Sequence, residues 1–81
     1  MTVRVHFYSY FKDLAGCDGT SVDFDAPATL HELVRRLAGN FPKWAPMQNS
    51  ALIAVGVEYQ TREYTLRPGD EVSLFPPVQG G

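Results

Sequence analysis

The sequence predicts a two-layer α+β domain, in which antiparallel hairpins lie over one amphipathic helix, and three observations carry that prediction. Residues 2–8 and 71–75 alternate apolar and polar side chains with a period of two. Residues 30–37 repeat apolar side chains at helical spacing behind a capping motif. The elements run strand, strand, helix, strand, short strand, strand.

In the first strand, Val3, Val5 and Phe7 share one face and Arg4, His6 and Tyr8 the other. Segment 9–15 reads as a short helical turn before Gly16. Thr20 to Asp25 is a second strand, with Val22 and Phe24 inward and Ser21, Asp23 and Asp25 outward; Gly19 suits a hairpin back from the first strand. The helix starts at Thr29, whose hydroxyl caps the amide of Glu32 while Glu32 reaches back. Leu30, Leu33, Val34 and Leu37 form its apolar stripe, and Glu32, Arg35 and Arg36 face water. The arginines are expected to complement the negative end of the helix dipole, with Gly39 as the residue just past the helix and Pro42 barring continuation.

Segment 42–50 reads as a long connection with a short turn around Trp44. Leu52-Ile53-Ala54-Val55 is a short apolar run, expected as a strand covered on both faces. Glu58 to Thr65 is polar and hairpin-like. Pro68 and Gly69 occupy the central positions of a type II turn, and Glu71 to Phe75 closes the fold with Val72 and Leu74 inward.

At 81 residues the chain is one small domain, burying roughly 60% of its unfolded surface, so a deep private active site is not expected. A formal net charge of −2 gives no basic footprint and argues against nucleic acid as a partner. No apolar run approaches a membrane span and no secretory signal is visible, so a cytoplasmic location is expected. The single cysteine, Cys17, sits in the turn Gly16-Cys17-Asp18-Gly19, and neither His6 nor His31 is paired with it by the sequence. No nucleophile–base pair and no metal-ligand cluster is visible.

The chain closes on Pro76-Pro77-Val78-Gln79-Gly80-Gly81. Paired glycines can pass through a channel too narrow for any Cβ, and the prolines favour an extended stalk. This combination points to chemistry at the carboxylate of Gly81. The expected organisation is a folded body over residues 1–75 carrying an extended tail over 76–81.

The run Leu66-Arg67-Pro68-Gly69-Asp70-Glu71-Val72, followed by Phe75-Pro76-Pro77-Val78 and Gly80-Gly81, resembles the MoaD/ThiS sulfur-carrier family, in its molybdopterin synthase branch. Phe7 to Gly16, including Lys12-Asp13-Leu14-Ala15-Gly16, resembles the family's first strand and the turn after it, so the resemblance spans essentially the whole chain. Phe75-Pro76-Pro77 favours the molybdopterin branch over the shorter thiazole carriers. The chain departs from the family at Gly56-Val57, where Asn or Asn-Gly is frequent, and at Gln79, where a small residue is common.

The resemblance implies a β-grasp, ubiquitin-like fold: a mixed sheet of four to five strands packed on one main helix, with first and last strands as neighbours. It implies that a ubiquitin-activating-type adenylyltransferase, using ATP and Mg, adenylates Gly81, and that a sulfur donor then converts it to a thiocarboxylate. The large synthase subunit would hold the catalytic pocket in which that sulfur is donated to form the dithiolene of molybdopterin. This chain would then be a non-catalytic subunit binding no cofactor and no metal, within a heterotetramer of two large and two small subunits. Val78, Pro77, Pro76 and Gly80 would thread the tail into its partners. Phe75, Tyr8, Tyr59 and Lys12 would dock the folded body. Rival functions are sulfur carriage for tRNA thiolation, cysteine or thiazole synthesis, a ubiquitin-like modifier amide-linked through Gly81, and an interaction module with an inert tail.

Overall fold

The computed structural model describes residues 1–77. The strands are β1 (Thr2–Phe7), β2 (Gly19–Asp23), β3 (Leu52–Val55), β4 (Glu58–Tyr59) and β5 (Glu71–Phe75), and the helices are α1 (Phe11–Ala15) and α2 (Leu30–Asn40). A 3-10 turn spans Ala45–Met47. The sheet order is β2-β1-β5-β3-β4. β1 pairs antiparallel with β2 and parallel with β5, while β3 pairs antiparallel with both β5 and β4. This is the expected mixed β-grasp sheet.

The alternation read from the sequence sets the core. Val3, Val5 and Phe7 of β1 and Val72 and Leu74 of β5 are buried, with Val22 and Ile53 flanking them. Against them lies the stripe Leu30, Leu33, Val34 and Leu37 of α2. The capping box forms as expected: the Glu32 amide donates to Thr29 Oγ1 at 3.4 Å and the Thr29 amide to Glu32 Oε1 at 3.3 Å.

The far end of the helix differs from expectation. α2 runs through Gly39 to Asn40 and closes at Phe41, whose amide donates to the Leu37 carbonyl at 2.8 Å. The Phe41 ring packs edge-on against Phe7 with centroids 5.3 Å apart, so a tertiary contact carries the helix past the glycine. Pro42 then excludes helical geometry at Phe41 (φ −127°, ψ 78°). No basic residue lies in the last turn, so the dipole role expected of Arg35 and Arg36 is not met. Arg36 instead donates to the Asp23 carbonyl at 3.1 Å and covers the Phe24 ring at 4.8 Å, fastening α2 to the end of β2.

Three further details refine the reading. β2 ends at Asp23 rather than Asp25, although Phe24 stays buried and its amide bonds the Met1 carbonyl at 2.8 Å. Trp44 is fully buried, against Phe7 at 6.1 Å and Phe11 at 5.8 Å, with Nε1 lacking a partner among the described residues. Of β3, the middle pair Ile53 and Ala54 is buried, one side chain on each face, while Leu52 and Val55 at its ends are half-buried.

Two turns align the last strands. Gly56 (φ 60°) takes the first position of the two-residue loop between the paired Val55 and Glu58, a geometry that glycine supplies without the family's Asn. Gly69 (φ 85°) completes the turn in which the Asp70 amide donates to the Arg67 carbonyl at 3.1 Å. Asp70 Oδ2 holds that turn, accepting from the Arg67 amide at 2.8 Å and the Tyr64 hydroxyl at 3.0 Å.

Candidate functional site: an aromatic face at the root of the tail

Because β1 and β5 are parallel neighbours, side chains far apart in the sequence meet on the face turned away from α2. Phe7 is registered with Leu74, both inward, so the next residues, Tyr8 and Phe75, emerge together on the outer face. Their rings stack at 4.7 Å with planes 14° apart. Tyr59 approaches Phe75 edge-on at 6.4 Å. Tyr8 is 40% and Tyr59 68% exposed, an aromatic surface left open to solvent.

Leu52 also belongs here, as the register partner of Phe75, and Ala54 lies opposite Tyr59. Sequence reading missed both. The unbroken apolar run 52–55 has no alternation from which a face can be read, and only the β3–β5 register assigns Leu52 outward.

Lys12 sits on α1 outside this ring cluster. It borders the cluster through Tyr8, with which it lines an open groove together with Arg4, His6, Asp18 and Ser21. At the polar end of the same face, His6 Nε2 lies 3.0 Å from Glu71 Oε1. Cys17 is half-buried against the core, and His31 is exposed on α2.

Resolved titration shifts lie elsewhere. The Tyr64 phenol is raised by burial and then by its bond to Asp70, and the Glu63 carboxyl is lowered chiefly by a hydrogen bond from Thr61. Among the described residues no three His, Cys, Asp or Glu side chains gather to hold a metal ion.

Pro76 and Pro77 follow Phe75 directly, so the tail leaves the sheet beside the stacked rings. Val78, Gly80 and Gly81 lie outside the described residues. The arrangement can hold a partner surface against the aromatic patch with Pro76 and Pro77 at its edge.

Relatives match this chain along nearly its whole length. The molybdopterin synthase sulfur carrier subunit of Escherichia coli K12 is 35% identical over 81 residues, covering 98% of this chain and 99% of that protein. Among solved structures, a putative molybdopterin converting factor subunit 1 from Pyrococcus furiosus superposes with a TM-score of 0.87 at 26% identity, covering 96% of this chain and 99% of that one. SAMP1 from Haloferax volcanii superposes with a TM-score of 0.88 at 24% identity over the whole of both chains, a likeness of fold. The ThiS family model matches residues 5–81, and the chain belongs to that family.

Proposed function

We propose that this chain carries sulfur as the small subunit of a molybdopterin synthase, with Gly81 as the reactive residue. The observation that carries the reading is the exposed Tyr8–Phe75–Tyr59 surface standing at the root of the Pro76-Pro77 tail. A carboxylate is a poor electrophile, because oxide is not expelled from it. Transfer of the adenylyl group of ATP to Gly81, with release of pyrophosphate, gives an acyl adenylate with a good leaving group. Sulfide equivalent from a donor then displaces AMP, leaving a thiocarboxylate that attacks the pterin precursor as a delivered nucleophile. ATP, Mg and the catalytic pocket belong to the partners, an activating adenylyltransferase and a large subunit in a two-plus-two assembly.

Energetics explain why a folded body accompanies the tail. Ordering about four tail residues costs on the order of 4–8 kcal/mol. The prolines reduce that cost by extending the stalk beforehand. Aromatic side chains grouped on one exposed face supply the remainder, as interface cores do. The name of the Escherichia coli relative describes the same role.

The test is the intact mass of the chain after incubation with ATP, an activating enzyme and a sulfide source. One oxygen exchanged for one sulfur, lost on deletion of Gly81, is expected. An unchanged mass, with the enzyme active on its own carrier, would overturn the reading. The fold shared with SAMP1 keeps one rival concrete: Gly81 joined to lysines of other proteins, which lysine-linked adducts in cell extract would reveal.

A further inference from the structure

Among the described residues, Ser9 alone has a positive φ without being glycine, at 56°. Its side chain is exposed, so packing does not impose the conformation. The backbone supplies the reason. In the parallel ladder the Arg4 amide donates to the Asp70 carbonyl at 3.3 Å and the Tyr8 amide to the Leu74 carbonyl at 3.1 Å. Continued one step, the pattern would send the N–H of residue 76 to the Tyr8 carbonyl. Residue 76 is proline and has no N–H.

The Tyr8 carbonyl instead accepts from the Phe11 amide at 3.2 Å, and the Ser9 carbonyl from the Lys12 amide at 3.1 Å. An extended residue at position 9 would carry the chain on beside Phe75 and the start of the tail. The left-handed one turns it into α1. That turn leaves Pro76 and Pro77 with no strand on their β1 side, and it holds Tyr8 where its ring lies flat on Phe75.

We propose that Ser9 is a positioning residue: its left-handed backbone, acting with the absent N–H of Pro76, ends the β1–β5 ladder at Tyr8, holds the Tyr8 ring on Phe75 and frees the root of the tail. The consequence for docking rests on the proposed function; the ring geometry stands without it.

The test compares Ser9→Gly and Ser9→Asn, which accept positive φ, with Ser9→Val, which resists it. Two readouts are needed: the ring-current shift that Phe75 imposes on the Tyr8 ring protons, and the Kd for a molybdopterin synthase large subunit. Gly and Asn are expected to keep the shift and to hold Kd within about twofold, whereas Val loses the shift and weakens docking roughly tenfold. A Val variant with shift and Kd unchanged, or a Gly variant as impaired as Val, overturns the proposal. If Val does not fold, Ser9→Ala replaces it: faster exchange of the Phe11 amide in Ala than in Gly supports the proposal, and equal exchange overturns it. Loss of the shift in Val while Phe75→Ala leaves Kd untouched overturns the docking reading and upholds the positioning of Tyr8.

Discussion

Phe7 and Tyr8 are adjacent in the chain and belong to two aromatic clusters, one buried and one exposed. Phe7 points inward to Phe41 and Trp44 and is only 1% exposed. Tyr8 points outward to Phe75 and stays 40% exposed. The period of two along a strand sends neighbours to opposite faces, and only one face has a helix over it. Aromatic residues therefore hold the fold on one side of the sheet and remain available to another molecule on the other. Composition does not distinguish the two sets; the direction of the side chain does.

The largest effect that would sharpen this contrast is expected inside. Phe7→Ala should cost about 3–5 kcal/mol of folding stability in a denaturant melt, by cavity formation, while the fraction that folds docks normally. A loss below about 1.5 kcal/mol would mean that the inner cluster is loosely packed. On the outer face the weights reverse. Phe75→Ala should weaken docking to the large subunit by about 2 kcal/mol or more, with a folding loss of about 1 kcal/mol from a half-buried ring. Equal losses in the two measurements would return Phe75 to the core and break the comparison.

The smallest expected effect lies away from both clusters. Tyr64→Phe removes the hydroxyl bond to Asp70 and should cost about 1 kcal/mol at neutral pH. The Tyr64 phenol is raised in the folded state, so the protonated form is favoured there. Its contribution is complete below the unfolded phenol's pKa of about 10 and is lost as pH rises through the folded value. The native protein should therefore lose stability more steeply than Tyr64→Phe in alkaline melts. Parallel alkaline curves would place the hydroxyl outside the turn's energetics.

Much of the inner layer was legible because its determinants are local. The capping box at Thr29 and Glu32, the stripe from Leu30 to Leu37 and the turn at Pro68-Gly69 each depend on residues within about two helical turns of one another. The misses share the opposite property. Gly39 reads as a stop signal until Phe41 finds Phe7, and the turn beside Trp44 can be read where the burial of its ring against α1 and β1 cannot. Leu52 has no face until β3 finds its register on β5.

By itself the sequence determined which side chains share a face, where the main helix starts, and that two prolines directly follow the last strand. The tertiary structure decided that β1 and β5 run side by side, and so that Tyr8 meets Phe75 across 67 residues of chain (75 − 8). Local dihedral preferences and side-chain spacing act over a few residues and can be read along the chain. Strand pairing is decided by burial summed over the whole core, which no short window contains.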